Sequence, residues 1–128
     1  MILDSKDLMI DDWVHSKHHN VNTQITSIES NAVWLRDNSC WERHFMPEVE
    51  PIPITAEILK KNGFYHERNV GYVYEDSENY EVIFDSFNQE LRILYNRDVV
   101  LNLQEWEFPV HRLQHALRLC GIDKEIVL

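Results

Sequence analysis

The chain has 128 residues, 44% of them hydrophobic and 27% charged, with 22 acidic against 12 basic side chains and a formal net charge of −10. This is the composition of a packed domain and excludes a disordered or fibrous chain. Both halves carry more acids than bases and no basic run exceeds Lys60-Lys61, so phosphate binding by counterion release would work against the overall field.

The N-terminus lacks the basic stretch and long apolar run of a signal peptide, and no segment approaches the ~20 apolar residues of a membrane span. A cytoplasmic protein with no membrane association is the expectation. Cys40 and Cys120 match no disulfide framework and read as small buried hydrophobes. Residues 9–16, 23–29, 32–36 and 41–46 are rich in Ile, Val, Trp, Thr and Phe between polar turns, the pattern of short strands. Ser30-Asn31 is a hairpin turn on this reading, because Asn tolerates positive φ, and His18-His19-Asn20 is a second loop. Four or five such strands predict a small SH3-like sheet or barrel, since closure removes exposed edges.

Prolines then break the pattern, and Pro51-Ile52-Pro53-Ile54 must be extended. A short helix over 55–62 follows. Thr55 is its N-cap, Glu57 lies in the first turn, Lys60 and Lys61 lie in the last, and Gly63 fits the left-handed position beyond the end. Ile54 and Leu59 suit a hydrophobic staple. Strands are predicted at 70–75, 80–85, 91–95 and 99–103, a three- or four-stranded meander. Pro109 then opens a helix over 109–120, with Val110, Leu113, Leu117 and Cys120 on its apolar stripe. His111, Arg112, His115 and Arg118 fall on or beside the outer face. The fold class is α+β: a β-rich half over 1–64, then antiparallel strands closed by a helix over 65–128, as two halves or as one single domain.

Two segments carry a resemblance. Residues 51–64, Pro-Ile-Pro-Ile-Thr-Ala-Glu-Ile-Leu-Lys-Lys-Asn-Gly-Phe, resemble the PIPLTEEWLLKFGF segment of small uncharacterised proteins from Bacteroides-type bacteria and their phages. Residues 110–117, Val-His-Arg-Leu-Gln-His-Ala-Leu, resemble the C-terminal YVHQLQNLYFAL segment of the same proteins. The resemblance implies organisation, with a strand-rich stretch before each segment, and implies no activity. His115 stands where those proteins usually carry Asn, and Cys120 is a further departure.

Candidate metal ligands are few. His15, His18 and His19 lie close together near Asp11 and Asp12, yet an exposed polar loop accounts for them without a ligand. Cys40 and His44, four apart on a strand, share a face, but a structural zinc needs four ligands. His111 and His115 have the i, i+4 spacing of zinc proteases, but Arg112 occupies the place of the general base. His15, His19, His111 and His115 are thus the metal candidates, and the expectation is no metal and no cofactor. Asp11-Asp12 and Glu75-Asp76 are adjacent carboxylates that point to opposite strand faces. Three glycines leave no phosphate-cradling loop or nucleophile elbow. Tyr72, Tyr74 and Tyr80 are able to stack bases, but without a basic groove they read as sheet face.

The expectation is a non-enzymatic interaction protein of phage or mobile-element type, binding another protein and not nucleic acid. The alternatives are a nucleic-acid-binding small β-barrel module and a metal-dependent hydrolase with His and carboxylate ligands.

Overall fold

The computed structural model describes residues 3–37 and 40–128, a β-rich α+β fold of ten strands in two antiparallel sheets, with two α-helices. Its contacts divide the chain into two units, one of residues 1–52 with 109–111, the other of residues 53–108 with 112–128. No helix among the described residues is long and apolar enough to cross a membrane.

Unit 1 is a five-stranded curled half-barrel. Strands β1 (Trp13–Ser16), β2 (Val21–Ile28), β3 (Ala32–Asp37) and β4 (Cys40–Phe45) form successive hairpins, and β5 (Val49–Glu50) pairs back on β1. The spatial order is β4-β3-β2-β1-β5, so the single 3-10 turn Met46–Glu48 carries the chain from one edge strand to the other. That crossing is short enough only if the sheet curls. A register slip between Ile25 and Ser27 in the β2–β3 pairing marks a bulge, the device that bends and twists a strand. Period-two alternation aims Val14, Ile25, Val33, Leu35 and Val49 into one core, which Leu3, Leu8 and Met46 complete from outside the strands. The Ser30-Asn31 turn is closed by Glu29 N–H donating to the Ala32 carbonyl at 2.8 Å. Asn31 stays outside the left-handed region, which is used by Asn20 in the preceding connection (φ 53°).

Unit 2 opens with α1 (Ala56–Lys61), capped as its sequence requires. The Thr55 hydroxyl accepts from Ile58 N–H at 3.2 Å, and Gly63 takes φ +87° just past the end. A five-stranded meander follows: β6 (Tyr65–Glu67), β7 (Gly71–Glu75), β8 (Tyr80–Asp85), β9 (Glu90–Tyr95) and β10 (Asp98–Gln104), in the order β10-β9-β8-β7-β6. Asn96 and Arg97 both take positive φ between paired Tyr95 and Asp98, the conformation that matches strand twist in a two-residue hairpin. Gly71 is required where β7 approaches β8, since a Cβ there would meet the Phe84 carbonyl oxygen at 2.5 Å.

The buried Asn62 side chain acts as a piece of backbone. Its amide donates to the carbonyls of Ile58 at 2.8 Å and Val127 at 2.7 Å, and its oxygen accepts from Val127 N–H at 2.8 Å. These bonds tie the end of α1 to the C-terminal segment within unit 2. Helix α2 (Val110–Leu119) buries Val110, Leu113, Ala116 and Leu117 of its apolar stripe, whereas Cys120, expected on that stripe and in the core, lies one residue past the helix end and is only half-buried.

Tyr65 sits on the edge strand and donates its phenol to Glu75 at 2.7 Å. That hydrogen bond, with the Glu75 charge behind it, pushes the Tyr65 phenol up to about 12. A raised value means the contact stabilises the fold below the ordinary tyrosine range and is lost as pH climbs through about 12. Absorbance titration of tyrosinate is expected to reveal one late-ionising tyrosine. Glu75→Gln should advance it, and an unchanged curve would contradict the contact.

Candidate functional site

The metal candidates read from the sequence separate in the fold. The ring nitrogens of His15 are taken up by Asn22 Oδ1 at 2.8 Å and Asn20 Oδ1 at 3.2 Å. His111 is 1% exposed, a correction to its expected place on the outer face of α2. The reason is position along the helix. At about 100° per residue, His111 and Arg118 lie only about 20° apart around the axis, yet Arg118 is exposed. His111 is in the first turn, which belongs to unit 1, where Val110 N–H donates to the Ile52 carbonyl at 2.8 Å. His115 is half-buried one turn on. A helix whose first histidine is enclosed does not present the open i, i+4 pair of a protease site. The Cys40 side chain lies outside the described residues.

The paired carboxylates have local structural duties. Asp12 is buried and accepts from Met9 N–H at 2.7 Å, while its neighbour Asp11 is exposed at φ 72°. Asp76 accepts from Glu78 and Tyr80 N–H groups at 2.9 Å, closing the β7–β8 turn, and Glu75 holds Tyr65. The three tyrosines lie on one face of the meander. There Tyr72 and Tyr74 stand opposite Phe84 and Val82, and Tyr80 packs on Tyr95 with ring centroids 4.8 Å apart.

Two histidine segments that the sequence keeps apart do converge in unit 1. His18 and His19 sit in the β1–β2 connection, which is tied to the Met46–Glu48 turn by Lys17 N–H donating to the Glu48 carbonyl at 2.9 Å. Glu42 and His44, two apart on β4, share one face. His19 Nε2 meets Glu42 Oε2 at 2.5 Å, and this hydrogen bond holds the Glu42 carboxyl below the usual carboxylate range. The His44 ring is 5.6 Å from that of His19 and 6.4 Å from that of His18. Of the four candidates His15, His19, His111 and His115, this cluster holds His19, together with His18 and His44 from the two other groups weighed in the sequence.

The other distinctive surface is at the β8–β9 end of unit 2. Phe87 is 92% exposed and Trp106 is 96% exposed, and both line one depression with Asn88, Gln89, Gln104 and Glu105. The backbone beneath them is braced. Asp85 accepts from Phe87 N–H at 3.0 Å and from the Asn88 side chain at 2.8 Å, and Gln89 Oε1 accepts from Phe108 N–H at 2.7 Å. Glu105 N–H donates to the Gln89 carbonyl at 3.1 Å, joining the Phe87 turn to the Trp106 segment, and Arg112 pairs with Glu105 at 3.3 Å. The sequence signal was a Phe inside a polar Asp-Ser-Phe-Asn-Gln turn and a Trp between two glutamates. Neither has a periodic pattern to bury it. Comparison with protein families, with curated proteins and with solved structures found no match.

Proposed function

We propose that the chain is a non-enzymatic interaction module that docks another protein on the Phe87–Trp106 end of unit 2. The observation that carries this reading is the pair of almost fully exposed aromatic rings on hydrogen-bonded backbone. Trp and Phe in water forgo the large burial free energy their rings offer, and Trp is among the residues that dominate binding interfaces. Bracing by Asp85 and Gln89 means that little backbone order remains to be gained on docking, which lowers its entropic cost. Glu105 and Glu107 flank Trp106, so the matching partner surface is an apolar pocket rimmed by Lys or Arg.

Unit 1 reads as an SH3-like barrel, supported by the order β4-β3-β2-β1-β5 with one 3-10 turn before the last strand. A phage or mobile-element origin and a cytoplasmic setting rest on the sequence alone. The acidic field argues against nucleic acid as the partner.

Affinity capture from extract of the native host, with mass-spectrometric identification, tests the proposal when wild type is compared with Phe87→Ser/Trp106→Ser. A protein retained by wild type and lost on the double variant is the expected result. Both chains should melt alike, because exposed positions contribute little to stability. Identical captures from both would overturn it. So would micromolar binding of oligonucleotides at about 150 mM salt that weakens steeply as salt rises.

A further inference from the structure

The least satisfied polar group in the core of unit 1 is His44. It is 1% exposed, and neither ring nitrogen makes a hydrogen bond. Its nearest charged neighbours are Glu42 Oε2, 3.8 Å from Nε2, and Glu48 Oε2, 3.6 Å from Nδ1. A buried imidazole left so is destabilising relative to a paired one. Beside it, ligand atoms of His18, His19 and Glu42 all lie within 4.8 Å of one another. We infer that unit 1 binds one divalent transition-metal ion of the zinc class through His18, His19, Glu42 and His44.

Imidazole nitrogen with one carboxylate oxygen is a borderline donor set, suited to zinc and unlike the all-oxygen sets of calcium or magnesium. Donors around tetrahedral zinc stand about 3.4 Å apart, given bonds of about 2.0–2.1 Å. His44 stands outside that 4.8 Å group, so the His18 and His19 rings must swing toward it, the His19–Glu42 contact of 2.5 Å must open and the His44–Glu42 separation of 3.8 Å must close slightly. All are side-chain rotations of exposed or half-exposed groups about a fixed His44. With Nε2 toward the ion, His44 Nδ1 faces Glu48, four residues further along the chain at the end of the Met46–Glu48 turn. That is the carboxylate–histidine–metal arrangement that fixes a ligand's tautomer. Four protein ligands leave no open coordination position, so the ion is structural. It would fasten the β1–β2 connection to β4, and a unit this small has few other means of closing its barrel. The inference is independent of the docking face on unit 2.

The test uses the purified full chain and Zn(II), in competition with a chromophoric chelator, with Co(II) as a spectroscopic substitute. The expected result is one ion per chain, an intense tetrahedral Co(II) band, and a melt raised by added zinc. His44→Leu fills the same space without polar atoms. It should weaken zinc binding at least tenfold while leaving metal-free melting unchanged or higher. His18→Asn/His19→Asn, in the polar connection, should abolish the tetrahedral band without disturbing the fold, and His15→Asn should retain it. Zinc affinity that is the same in wild type and in the His18/His19 double variant overturns the inference. So does a pale octahedral Co(II) spectrum, or the absence of saturable binding.

Discussion

Truncation of Leu113 or Leu117 to alanine is expected to destabilise the protein by about 2–5 kcal/mol each, the range for emptying a leucine-sized space in a packed core. Both side chains are essentially inaccessible, whereas Leu119 on the same helix is 77% exposed. Leu119→Ala removes the same atoms and should change stability by no more than about 0.5 kcal/mol, which makes burial and not helix propensity the variable under test. His111→Ala belongs with the first pair, because its ring is enclosed in the first turn. Urea melts distinguish the outcomes. Equal losses at Leu117 and Leu119 would mean that the helix is rotated about its axis.

Asn62→Ala should cost about 2–4 kcal/mol, since it strips three hydrogen bonds from a buried position and strands backbone groups that the side chain satisfies. The loss has two parts. The bond to Ile58 finishes α1, and the paired bonds to Val127 hold the C-terminal segment. Hydrogen exchange separates them, because the Val127 amide should exchange much faster in the variant. A Val127 amide as protected as in wild type would show that the segment is held by its apolar residues, Ile122 and Ile126, which are both buried.

Local signals were legible in the sequence wherever one short segment contains the whole physical reason. Thr55 and Gly63 delimit α1 because capping depends on a few neighbouring residues, and Pro109 announces α2 in the same way. β-branched and aromatic composition between polar turns located β2 and β3, and alternation located β8 and β9. Strands of two or three residues, β5 and the fully exposed β6, have no pattern to read and exist only because β1 and β7 offer edges to them. The two histidine groups were visible separately, but their convergence was not. His18 and His19 are more than twenty residues from Glu42 and His44, and only the crossing of the Met46–Glu48 turn from β4 to β5 closes the sheet and brings them together. Burial of His111 likewise depends on what covers the first turn of α2, and helical periodicity carries no such information. Phe87 and Trp106 were passed over because an aromatic residue is read as core by default, whereas these two lie in turns that nothing covers.

Placement of a photo-crosslinking phenylalanine analogue at Trp106, expressed in the native host, tests the docking proposal most directly. The structure-based expectation is a single dominant protein adduct from position 106 and none from Tyr65, an exposed aromatic on the far edge strand of the same sheet. Adducts from position 65 with none from position 106 would contradict it.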